Sequence, residues 1–261
     1  MADLFQGLRW LHIAAGAAAL LLFWIPVAAP KGGRLHIRIG WTYVVCMSLV
    51  VLTAFSMSGM AFLDPLGVRR FGQPLSVEEV ARLVAASRVF AAFLAYLAGV
   101  TLVLGWQGVW ALRTRRDPRS LRTPFHVALN VLVGLSGLAI LALGIRRGSA
   151  PLVGLSPIGP FVALGNLRYI LRGPRSRMDW WYEHLGSMLG TGIAAYTAFL
   201  VFGGSRLFPT ISRSQYYAVL WVLPSILGVP AIFLTVAYYR RKFLANDQST
   251  VSRMPQAKSA V

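Results

Sequence analysis

Four histidines carry whatever chemistry this chain can do: His12, His36, His126 and His184. Each lies at or near the end of a long apolar run. No Asp, Glu or Lys falls near the middle of such a run. That argues against carriers that bind ions with buried carboxylates, and against a retinal pump, which needs a Schiff-base lysine. His126 and Asn130 are one helical turn apart, and Gly134 and Gly137 continue their stripe. His184, Ser187, Met188 and Thr191 likewise share one helical face. Turned toward each other, the two stripes would form a narrow polar cleft. Asp179 and Glu183 would be placed to orient or charge His184 or His36.

Three chemistries fit imidazoles arranged this way. Paired imidazoles at equal depth on separate helices are a ligand set for haem b. Three imidazoles with a carboxylate, here His36, His126 and His184, are a ligand set for zinc or another divalent metal, with Glu183 as acid or base in a hydrolytic version. A neutral imidazole can also exchange a proton with a quinone or a lipid headgroup. The plainer alternative is that histidine is amphipathic and settles at a membrane interface. No H-x-x-H, H-E-x-x-H or C-x-x-C spacing selects among these. No G-x-S-x-G elbow or phosphate-binding glycine loop adds a further chemistry. The single cysteine, Cys46, excludes an intrachain disulfide.

The elements that must position these residues are membrane spans. Hydrophobic residues make up 56% of the 261 and charged residues only 13%, with a mean hydropathy of +0.61. A soluble domain could not hide that much apolar surface, so the expected class is an all-α polytopic transmembrane bundle. Span one is 10–30, with Pro26 in its last turns. It reads as a retained helix rather than a cleaved leader, because Pro30 would follow the cut. Span two is 40–63. Ser76-Val77-Glu78-Glu79 has the spacing of a capping box, and opens a helix whose spanning part is 89–112. Thr123-Pro124 reads as cap and first residue of span four, 125–145. Span five, 151–167, contains Pro151, Pro157 and Pro160 and is expected to be broken. Span six is 179–202. Span seven is 216–239. Residues 1–243 then form one membrane domain, and 244–261 a disordered tail.

Charge sets the threading. Of the 26 Lys and Arg residues, seventeen fall on one side of a seven-span bundle, beginning with Lys31, Arg34 and Arg38, and nine on the other. The richer side is expected in the cytoplasm, with the N-terminus outside and the C-terminus inside. His36, His126 and His184 then lie near the cytoplasmic face, and His12 one bilayer thickness away. The formal charge of +18 is read as topology signal and contact with anionic lipid headgroups, not as nucleic-acid binding.

Three segments carry a family likeness: W-L-H-I-A-A-G-A at 10–17, K-G-G-R-L-H-I-R-I-G-W at 31–41 and E-H-L-G-S-M-L-G-T-G-I-A-A-Y-T-A-F-L-V at 183–201. They resemble a family of bacterial integral membrane proteins known only as a domain of unknown function. His12 with Gly16 and His36 with Gly40 repeat an H-x-x-x-G form. His126 departs from it, with Asn130 in the glycine place. The resemblance implies a multi-span protein of the bacterial inner membrane whose histidines matter, and lends no activity. The expectation drawn from the residues is a site of His126 and His184 assisted by His36, serving haem- or quinone-linked electron transfer. The competing expectation is a non-catalytic binder or carrier of a lipid or small apolar molecule, using the Gly/Pro-rich spans five to seven.

Overall fold

In hydrocarbon every backbone N–H and C=O must be paired within the protein, which leaves helices as the economical solution for an apolar chain. The computed structural model describes residues 1–69, 75–174, 176–204 and 217–252. Eight α-helices follow in order. They are α1 (Ala2–Ala28), α2 (Arg34–Leu63), α3 (Val77–Arg113), α4 (Pro124–Arg147), α5 (Ala150–Leu155), α6 (Ile158–Arg172), α7 (Asp179–Ala198) and α8 (Tyr217–Ser252). A 3₁₀ turn, Pro118–Leu121, precedes α4, and α7 runs on as a π-helical turn, Phe199–Gly204. With α5 and α6 counted as one segment, seven helical segments among the described residues are long and apolar enough to cross a membrane. The chain is a multi-pass helical membrane protein.

Local chemistry explains the boundaries. The capping box forms: Ser76 accepts from the Glu79 N–H at 3.3 Å and Glu79 accepts from the Ser76 N–H at 2.8 Å. Thr123 caps α4 by accepting from the His126 N–H at 3.2 Å, and Gly148 ends that helix with a left-handed φ of 61°. α1 and α2 extend beyond the expected spans at their N-terminal ends, so His36 sits in the first turn of α2 rather than ahead of it. The last helix continues to Ser252, past the expected start of a tail at 244; residues 253–261 lie outside the described residues.

Span five is broken, and side-chain groups take over part of the freed backbone. Pro157 and Pro160 remove the N–H groups that would bond Val153 O and Ser156 O. The Ser156 hydroxyl takes over Val153 O at 3.1 Å. Tyr96 of α3 donates to Ser156 O at 2.7 Å and accepts from the Gly159 N–H at 2.7 Å. Irregular backbone is tolerated at this depth because a buried tyrosine from a neighbouring helix satisfies it.

The helices form two groups joined by α3. α1 packs on α2 and α7, α7 on α8, and α4 on α5 and α6; α3 touches α2 and α7 on one side, α4 and α6 on the other. Phe93, Tyr96, Val133 and Trp221 lie in the largest apolar core. The outside is apolar too, with Leu21, Phe161, Phe233 and Leu234 at least 69% exposed. The inside holds polar groups as well: Gln107, Asn130 and Thr191 are all but fully buried. An apolar exterior over an interior that also buries polar groups suits a lipid solvent.

Candidate functional site

At the basic end of the bundle, where α1 closes and α2 and α7 begin, two imidazoles meet. The His36 and His184 ring centres are 6.5 Å apart, with ring planes at 67°. Each ring is fixed by a carbonyl of a neighbouring helix. His36 Nδ1 bonds Pro26 O at 3.0 Å, and His184 Nδ1 bonds Gly108 O at 2.9 Å. A carbonyl only accepts, so both Nδ1 atoms carry a proton, and each ring in its neutral form keeps a lone pair on Nε2.

The sequence builds each anchor. Pro30 has no N–H, so Pro26 O loses its helical partner; His36 and Lys31 replace it, Lys31 Nζ lying 3.1 Å away. Lys31 also donates to Val27 O and Ala29 O, closing the end of α1. Partial burial holds the Lys31 ammonium below the ordinary lysine range. On the other side, Gly108 lets α7 approach α3. A Cβ there would collide with Met188 and come within 3.1 Å of Ser187 Cβ.

Glu183, the residue before His184, accepts from Gln107 Nε2 of α3 at 3.3 Å. Deeper in the same helices, Tyr43 and Thr191 share a hydrogen bond of 2.8 Å, and Gly192 gives room to the Phe23 ring. Around the mouth, arginines lie over aromatic faces: Arg113 over Trp41 at 5.4 Å and Arg115 over Trp180 at 5.6 Å. An open cleft of about 350 Å³, lined by Arg115, Arg116, Arg177, Met178 and Trp180, lies at this end of the bundle.

His126 is elsewhere. It is 2% exposed and packs against Trp106 of α3, ring centres 6.4 Å apart. Asn130 donates to His126 O at 2.9 Å and accepts from Asn166 of α6 at 2.8 Å. Gly134 and Gly137 bring α4 against Ala163, Pro160 and Ser156. The two stripes expected to face each other therefore do not. The His126 stripe packs on α6, the His184 stripe on α3 and Tyr43, and α3 contacts both α4 and α7. Among the described residues no group of three or more His, Cys, Asp or Glu side chains is placed to hold a metal ion. The expected zinc set of His36, His126 and His184 with Glu183 is not assembled, because α3 separates the first and last from His126.

His12 lies sixteen residues before the end of α1, roughly 24 Å from the basic end at the helical rise. Its Nδ1 bonds Thr53 Oγ1 at 2.9 Å and Val50 O at 3.1 Å. Gly16, one turn on, meets only Val50 at 3.9 Å, so the H-x-x-x-G form here serves the α1–α2 contact. Three participants went unforeseen: Gln107 and Asn166 inside spans, and Lys31 as a cap. A neutral amide within an apolar run is itself a signal, because hydrocarbon penalises it unless a partner waits.

No family model, curated protein or solved structure matches this chain.

Proposed function

We propose that this protein transfers electrons in a bacterial inner membrane, and that His36 and His184 are paired ligands of one haem b at its cytoplasmic end. The observation that carries the reading is the matched pair of Nδ1–H···O=C anchors, which leaves two Nε2 lone pairs on neighbouring helices. Carbonyl bonds of this kind to the other ring nitrogen fix tautomer and orientation in metal-ligating histidines. His36 and His184, whose ring centres lie 6.5 Å apart, would hold the haem through their Nε2 atoms. Arginines at the mouth suit the haem's carboxylates. When bound, the haem would supply the one-electron chemistry. The chain's own residues hold the two rings, close the end of α1 and keep Glu183 beside His184.

The cytoplasmic assignment rests on the charge bias of the sequence, in which a seven-span threading puts seventeen of the 26 Lys and Arg residues on this side. The family likeness of the His12, His36 and His184 segments is part of the same proposal, since it joins the residues of this half. A second reading keeps the pair but uses it to hydrogen-bond a quinone. Glu183, tied to Gln107 and adjacent to His184, favours it by providing a protonatable neighbour.

The test is the visible spectrum of protein purified in mild detergent from cells supplied with haem precursor. A Soret band with stoichiometric iron supports the haem. A colourless, iron-free protein that retains extractable quinone moves the assignment to the second reading. Neither cofactor leaves a lipid binder and overturns both.

A further inference from the structure

A second polar region lies beyond the histidine pair. Gln107 Oε1, His126 Nε2 and Tyr169 OH are buried side-chain atoms without a hydrogen-bond partner. Their residues are 0%, 2% and 7% exposed. Helix register brings the three toward one place. The Asn166–Asn130 bond pins α6 against α4. Because the two helices are antiparallel, one turn nearer the basic end His126 comes opposite Tyr169. Trp110 of α3 packs on the cluster that holds Tyr169, and Gln107 lies one turn from Trp110 on the same helix. Gln107 also reaches Glu183, and Tyr169 lies within electrostatic range of that carboxyl.

Three bare polar atoms at one junction are costly in a hydrocarbon solvent. Their chemistry is complementary to water. The Gln107 amide nitrogen is committed to Glu183, so Oε1 only accepts. A tyrosine hydroxyl both donates and accepts, and an imidazole Nε2 does one or the other. An ordered internal water makes about three hydrogen bonds to groups of this kind. We propose that the junction of α3, α4, α6 and α7 is a binding site for internal water, a single molecule or a short chain, bridging Gln107, His126 and Tyr169. Through Gln107 this water joins His126 to Glu183 by hydrogen bonds across α3. The proposal is independent of any haem.

Radiolytic hydroxyl-radical labelling in ¹⁸O water tests it on the intact protein. Tyr43 and Tyr96 are the internal controls. They are as buried as Tyr169, at 4% each, but their hydroxyls are paired within the protein. Tyr169 is expected to label several-fold faster than both, and Gln107→Leu to slow it. Equal, slow labelling of all three tyrosines overturns the proposal. Thermal melting of Tyr169→Phe gives an independent readout. Loss of a water-bridged hydroxyl lowers Tm by about 2–4 °C. An unchanged or raised Tm means the hydroxyl had no partner, and overturns it as well.

Discussion

His184 and His126 begin alike and end differently. Each sits in the early turns of a long apolar helix at the same end of the bundle, with small or polar residues one and two turns on. His184 is half-buried, with Nδ1 anchored on α3 and a second imidazole 6.5 Å from its ring. His126 is buried against Trp106, above a ladder of two asparagines that pairs α4 with α6. The difference is made by the neighbours. His184 meets a glycine that lets a carbonyl come within reach; His126 meets tryptophan. A histidine's position along its own helix gives its depth, and the facing helix decides what it can bind.

The comparison breaks first at the cofactor. His36→Ala and His184→Ala are each expected to abolish haem absorbance in protein that still purifies as a folded species, whereas His126→Ala keeps it. Loss in all three would mean that α3 does not separate two regions.

The asparagine ladder gives the converse test. Asn130→Leu leaves Asn166 unpaired in the interior and should cost about 1–3 kcal/mol, read from thermal or denaturant unfolding in detergent. Adding Asn166→Leu should recover part of that cost, because both partners are then apolar. The spectrum should not move in either variant. A spectral change would tie the ladder to the cofactor and sharpen the comparison into a single site.

Gly108→Ala probes the helix between the regions. The added methyl pushes α7 from α3, at a cost of about 1–3 kcal/mol, and loosens the His184 anchor. Weaker haem retention with the His126 side intact is expected, checked by haem content per protein after gel filtration. The smallest effect should come from Glu79→Ala, far from both regions. It removes one arm of a helix cap, lowers Tm only slightly in thermal unfolding, and leaves cofactor content unchanged.

Much of the frame was legible in the chain. Apolar run length is a direct reading of bilayer thickness, so the seven spans could be counted. Ser76 with Glu79 and Thr123 with Pro124 marked helix starts by local chemistry alone. Pro157 and Pro160 announced the break in span five, but not that Tyr96, some sixty residues earlier, would repair it. The candidate site was legible only in its parts. His36 and His184 could be placed at one depth by charge bias, whereas their pairing depends on which helices touch. Periodicity assigns a residue to a face of its own helix and says nothing of what that face meets. The stripe of His126, Asn130, Gly134 and Gly137 looked like a cleft wall and is a packing seam, since glycine spacing serves close approach as readily as a cavity.

Low-temperature electron paramagnetic resonance of the oxidised protein tests the pairing of His36 with His184 most directly. The account predicts a low-spin signal of iron held by two imidazoles, converted to high spin or lost in either single alanine variant and unchanged in His126→Ala. A wild-type protein without bound iron, or a low-spin signal that survives His36→Ala and disappears in His126→Ala, would contradict it.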